Sequence, residues 1–203
     1  MIAIIDYGVG NLFSLKCSLD AVGAPAVVTG DPAVIRNAEK LILPGVGAFR
    51  DAAAALSENG LDALVKEEAR AGKPLLGICL GMQLLFEKSL EGGEYQGLGL
   101  LTGEVRSISE VIPAGLKIPQ IGWNALEFTK ESRLFGRIRE GDRVYFVHSF
   151  AAMDSPDITA VTEYGAKLAA AAERGNVYGC QFHPEKSGSV GLRILKAFSE
   201  DVR

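Results

Sequence analysis

The first half of the chain alternates two hydrophobic periods. "IAIID" (2–6) is a continuous apolar run rich in β-branched residues, and Leu12, Leu15, Leu19 and Val22 then recur at helical spacing within residues 11–22. "APAVVTG" (24–30) and "KLILPG" (40–45) read as a second and a third strand. Residues 48–56 and 61–71, rich in Ala, Leu, Glu and Lys, read as helices. "KPLLGIC" (73–79) is apolar throughout, as expected of a strand covered on both faces, and "LGMQLLFEKSL" (80–90) continues as a helix. This β-α-β-α order predicts an α/β fold with a doubly wound, mostly parallel central sheet flanked by helices.

The second half follows a different rhythm. "LGLLTGEVRSI" (98–108), "WNALEFT" (123–129), "RVYFVHSF" (143–150), "DITAVTEYG" (157–165), "KLAAAAERG" (167–175) and "NVYGCQF" (176–182) are short strand candidates separated by turns. They predict an additional antiparallel or mixed β section. The alanine run 169–172 also suits a helix, but the glycines nearby favour a strand. "SVGLRILKAFSED" (189–201) closes the chain as an amphipathic helix. With no repeat, low-complexity tract or linker, residues 1–203 are expected to form a single domain.

Composition narrows the classes. Apolar residues make up 48% and charged residues 23%, with a net charge of −4, so nothing favours nucleic acid or an anionic membrane as a partner. No apolar run reaches the ~20 residues that span a bilayer. The N-terminus meets Asp6 without a basic region and does not read as a signal peptide. Three cysteines, Cys17, Cys79 and Cys180, are too scattered for a disulfide framework or a metal cluster, so the cytoplasm is the expected compartment and no metal or cofactor is expected.

Cys79 stands apart from the other two. Gly77-Ile78-Cys79-Leu80-Gly81 has the form G-x-C-x-G between an apolar strand and a helix, the context of a nucleophile elbow. Glycines permit a tight turn and close backbone approach, and a helix N-terminus favours a thiolate. The alternative is a packed apolar cysteine, the expectation for Cys17 in its helix and Cys180 in its strand.

A nucleophilic cysteine needs a base, and only His148 and His183 are present. His183 lies in "FHPEKSG", where Pro184 keeps it out of helical geometry. Residues two apart in extended backbone point the same way, so His183 and Glu185 can project together, the glutamate fixing the imidazole tautomer. His148, in the alternating strand "YFVHSF", has no local carboxylate and reads as a hydrogen-bonded or pocket-lining histidine. The amide of Leu80 is a candidate oxyanion donor, and "LPGVG" (43–47) is a glycine-flanked loop able to turn an N–H toward the elbow, or simply a strand-ending turn.

"GICLGMQLLF", "LPGVGAF" and "FHPEKSG" together resemble the class I (triad) glutamine amidotransferases. Within them the chain is most similar to glutaminases that serve as a subunit of imidazole glycerol phosphate synthase, on "DYGVGNLFSL", "IPQIGWN" (118–124) and "YFVHSF" (145–150). The likeness covers essentially the whole chain. It implies that Cys79, His183 and Glu185 form a catalytic triad and that Val46, Gly47 and Leu80 bound the oxyanion hole. It implies glutamine held by Gly47, Gln83, Glu91, Ser149 and Phe150. Glu91 would pair the α-ammonium group, unless it is merely an exposed helix-end carboxylate.

The resemblance further implies that ammonia passes to a separate cyclase subunit, a (β/α)₈ barrel, in a heterodimer of histidine biosynthesis. Asn11, Gln120, Trp123, Tyr145 and Lys186 match the expected interface. Trp123, the single tryptophan, suits either an interface anchor or a core. Other amidotransferase subunits, a non-catalytic module that has kept the fold, and a cysteine peptidase remain alternatives at this point.

Overall fold

A computed structural model of the chain describes residues 1–202. In order the elements are β1 (Ile2–Ile5), α1 (Leu12–Ala21), β2 (Ala26–Thr29), α2 (Pro32–Asn37), β3 (Lys40–Leu43), α3 (Phe49–Glu58), α4 (Leu61–Arg70), β4 (Leu75–Ile78) and α5 (Leu80–Leu85). There follow β5 (Lys88–Ser89), β6 (Tyr95–Gln96), β7 (Glu104–Ser107), β8 (Gln120–Ala125), β9 (Glu127–Phe128), β10 (Arg143–His148), β11 (Phe150–Met153), β12 (Ile158–Glu163), β13 (Lys167–Arg174), β14 (Val177–Cys180) and α6 (Gly188–Glu200).

The main sheet has eight strands in the order β2-β1-β3-β4-β14-β13-β12-β9. The first five run parallel and the last three continue antiparallel. Alternation along β1 shows why both faces are covered. Ala3 and Ile5 join a core with Ile35, Phe49, Leu64 and Leu84 from α2 to α5. Ile2 and Ile4 join the opposite core with Leu15 and Leu19 of α1 and Ile194, Leu195 and Phe198 of α6. Each fully buried Ile, Leu or Phe among them stabilises the fold by roughly 1.5–3 kcal/mol. Two smaller sheets, β10-β8 and β11-β7-β5-β6, are built from residues 88–153.

The predicted α/β architecture, with parallel strands first and antiparallel additions after, is what forms, and the alanine run lies in β13 as expected. Several boundaries differ. The helix expected over 80–90 stops at Leu85, because Leu98 and Leu100 donate their amides to Leu84 and Leu85 and occupy the carbonyls of its last turn. Lys88–Ser89 then pairs as a strand with Tyr95–Gln96. Helix α2 carries signals the periodicity did not reveal, an Asp31 cap on the Ala33 amide and Pro32 in the first turn. The stretch 143–150 divides at Ser149, since β10 joins β8 while β11 joins β7. Residues 98–103 are loop, and 123–129 splits around the buried Leu126.

Cys17 departs from its expected packing role. It is exposed, because Leu15 and Leu19 sit one helical turn apart on the buried stripe and Cys17 falls between them on the other side. Cys180 is fully buried, as expected.

Candidate active site

Three neighbouring parallel strands deliver their carboxyl ends to one place: β3 ends at Pro44-Gly45, β4 at Cys79 and β14 at Gln181 to His183. Ligands of open α/β sheets bind at this edge. A cavity of about 310 Å³ opens there, lined among others by Gly47, Cys79, Gln83, Glu91, Ser149 and His183.

Cys79 is the elbow. Its φ of 54° and ψ of −112° place a non-glycine residue in a strained region, the backbone cost expected of a functional turn. Its amide is pinned to the Cys180 carbonyl at 2.7 Å. The flanking glycines are there for close approach. A Cβ on Gly81 would lie 1.8 Å from the Leu43 carbonyl oxygen, and one on Gly77 2.7 Å from both the Gly81 oxygen and Met82 Cα.

His183 meets Glu185 as the extended backbone predicts. Nδ1 lies 2.8 Å from Glu185 Oε1, with both side chains 3% exposed. Burial on its own lowers the proton affinity of His183. The Cys79 sulfur and the Glu185 carboxylate, by hydrogen bonding and by charge, outweigh it and hold the pKa up at about 9. Nε2 makes no hydrogen bond of ordinary geometry, although the sulfur is near enough to raise its basicity. Catalytic pairs are often this loose before substrate arrives. Both neighbours therefore favour the protonated ring.

His148 is a buried, pocket-lining histidine. Its Nδ1 is 2.8 Å from the Phe150 carbonyl, which can only accept, so the proton sits on Nδ1. Burial chiefly, opposed by that carbonyl and aided by the charge of His183, lowers its pKa to about 4. The neutral Nε2 is then an acceptor, 3.1 Å from the Gln120 side-chain amide. Turning that amide to present its N–H₂ satisfies both groups, since Gln120 Nε2 otherwise has no partner.

The remaining expected residues fall into two groups. Gln83 is buried and donates to the Phe150 carbonyl at 2.9 Å and to Gln181 Oε1 at 3.0 Å. Glu91 is half-buried in the loop after β5, not at a helix end. It accepts the Phe49 amide at 2.8 Å and so caps α3 from the cavity wall. Ser149 and Phe150 line the cavity at the break between β10 and β11. Val46 is 42% exposed, and Leu80 donates its amide to the Gly45 carbonyl.

Of the expected interface residues, Trp123 is 48% exposed and stacks edge-on against Tyr145 at 6.0 Å, which sets aside the core alternative. Lys186 is exposed and Asn11 half-buried. Gln120 does not belong to the exposed group. It is fully buried against His148, because even positions of β8 face inward while Ile121 and Trp123 face out.

Three contributors escaped sequence reasoning. Ser187 accepts the Tyr145 amide at 2.9 Å and donates to the His183 carbonyl at 2.6 Å. Tyr7 donates to the Pro44 carbonyl at 2.7 Å. Burial, then the charge of Cys79, pushes its hydroxyl well above the usual tyrosine range, so it stays a donor. Gln181 lies between Cys79 and Gln83. The one available signal was Gln181 itself, a polar residue in an apolar strand, two positions from His183 and so on the same face. Among the described residues, no group of three or more His, Cys, Asp or Glu is arranged to hold a metal, and no helix is long and apolar enough to cross a membrane.

A strained cysteine elbow, a buried His–Glu pair and a glycine loop thus meet at the carboxyl edge of a doubly wound sheet. The family model for glutamine amidotransferase class-I matches residues 3–202, and the chain belongs to that family. It is 52% identical over 204 residues to imidazole glycerol phosphate synthase subunit HisH of Moorella thermoacetica, covering 100% of this chain and 95% of that one. The HisH subunit of Aquifex aeolicus is 50% identical over 198 residues, covering 96% and 94%. Among solved structures, a glutamine amidotransferase aligns with a TM-score of 0.76 at 20% identity, over 98% of this chain and 97% of that one. A chain of PurLQS from Thermotoga maritima aligns at 0.75 and 21%, over 100% and 98%. These two share the fold.

Proposed function

We propose that this chain is the glutaminase subunit of an imidazole glycerol phosphate synthase, acting in histidine biosynthesis as one amidotransferase domain. The observation that carries the reading is the Cys79 elbow sharing one cavity with the His183–Glu185 pair. The Cys79 thiolate attacks the side-chain carbonyl carbon of glutamine. As the tetrahedral intermediate collapses, the imidazolium of His183 gives its proton to the departing nitrogen and ammonia leaves. His183, now neutral, takes a proton from water, which attacks the thioester, and glutamate departs as the thiolate re-forms. Glu185 holds the ring through Nδ1 across both steps. Gln83, Glu91, Ser149 and Phe150 supply the polar wall for the amino-acid head, and the oxyanion is met by Leu80 and the Val46–Gly47 segment.

Ammonia is handed to a separate cyclase subunit, a (β/α)₈ barrel. Asn11, Trp123, Tyr145 and Lys186 form its docking face. The sequence likeness to HisH subunits supports this partner, as does the exposed aromatic pair Trp123–Tyr145. The test is synthesis of imidazole glycerol phosphate by this chain mixed with a cyclase subunit. The Cys79→Ser complex is expected to use free ammonia normally and glutamine not at all. Glutamine-driven synthesis that survives the substitution, or failure of the two chains to associate, overturns the reading.

A further inference from the structure

Gln181 is fully buried directly beyond β14, and both ends of its amide are engaged. The orientation is fixed from outside. The Phe150 carbonyl can only accept, so the Gln83 side chain must present its N–H₂ there, at 2.9 Å. The same nitrogen then donates to Gln181 Oε1 at 3.0 Å, which leaves Gln181 Nε2 to donate to Cys79 Sγ at 3.8 Å.

A buried amide is costly unless its hydrogen bonds are made. Gln181 directs a donor at a thiol sulfur, a weak acceptor. That bond is poor while the sulfur is neutral and becomes strong when it is ionised, because hydrogen bonds to charged acceptors are about twice as strong and shorter. It therefore favours the ionised sulfur over the neutral thiol. It also joins the sulfur to Gln83, on the cavity wall.

We infer that Gln181 is a positioning residue for the amidotransferase reaction: its amide stabilises and aims the Cys79 thiolate and fixes it relative to the Gln83 wall. This rests on the glutaminase reading above. The histidine pair supplies the proton traffic, while Gln181 acts only on the sulfur and its neighbour.

The test is alkylation of the full chain by iodoacetamide, which needs a reactive sulfur but no glutamine site, followed residue by residue across pH 6–9 by mass spectrometry. Exposed Cys17 serves as the internal reference for reagent. In Gln181→Met, alkylation of Cys79 at pH 7 is expected to fall about tenfold, with the pH profile displaced toward alkali and Cys17 unchanged. Gln181→Leu is the second variant, with thermal unfolding as the check that each is folded. A folded variant whose Cys79 profile superimposes on wild type overturns the inference and leaves the glutaminase reading intact. A wild-type Cys79 no more reactive than Cys17 undermines that reading instead.

Discussion

The amide of Leu80 donates to the carbonyl of Gly45 at 3.3 Å, so the donor immediately after Cys79 is already occupied. The Gly45 carbonyl thus takes up the amide that the proposed reaction would use for its oxyanion. On the proposed function, rotation of the Gly45–Val46 peptide would free the Leu80 amide. Tyr7 holds the Pro44 carbonyl, which confines the motion to the next peptide. Loss of one oxyanion donor costs about 10²–10³ in turnover. On the proposed function, the isolated chain is expected to release glutamate from glutamine slower by that factor than the complex with the cyclase subunit. Equal turnover in the two states would show that no such rotation is needed.

Glu185→Gln removes the charge opposite His183 Nδ1 while keeping an oxygen within reach. The imidazolium loses support and its tautomer is no longer enforced. Turnover in the complex is expected to fall by about 10²–10⁴ with little change in KM. A steady-state comparison at saturating glutamine decides it; an effect confined to KM contradicts the orienting role.

His148 makes stability depend on pH. Its folded pKa of about 4 lies below the unfolded value of 6.5, so its contribution is complete above pH 6.5 and is lost as the pH falls toward 4. The loss is on the order of 3 kcal/mol. His183 has the opposite sign: raised to about 9, it stabilises below pH 6.5 and loses that effect as pH rises through 9. Denaturant midpoints measured from pH 4 to 9 are expected to show His148→Gln flattening the acid limb alone. An unchanged acid slope in that variant would remove His148 as its source.

Trp123 is half-exposed and packs on Tyr145, whose carbonyl accepts the His183 amide at 3.0 Å. Trp123→Ala is expected to leave the thermal midpoint of the free chain nearly unchanged and to weaken cyclase binding by about 2 kcal/mol, roughly thirtyfold. Titration calorimetry reads this directly. Undiminished affinity would place the docking face elsewhere.

Gly81→Ala would set a methyl 1.8 Å from the Leu43 carbonyl oxygen, which is backbone and cannot swing aside. Separation of β3 from α5 is expected, with a loss of about 3 kcal/mol or more in urea unfolding. A variant of wild-type stability would mean that this contact is relieved by a small shift of α5.

The sequence by itself determined the layer order and singled out Cys79. Short apolar runs at 2–5, 41–43 and 75–78, bounded by turn residues, read as strands covered on both faces. Gly77 and Gly81 around Cys79 announce a backbone contact that no side chain permits, and His183 with Glu185 follows from the two-residue repeat of extended chain. These are local facts, set by φ/ψ limits and periodicity. Tertiary structure decided the rest. Whether α5 continued past Leu85 depended on Leu98 and Leu100 competing for its carbonyls, and where 143–150 divided depended on two different partner strands. Gln120 turned inward because β8 pairs with β10 in a register that sets it opposite His148. Gln181 reached the sulfur because β14 lies beside β4, about a hundred residues away in sequence. Periodicity shows which face a residue occupies; only the packed neighbour decides what that face touches.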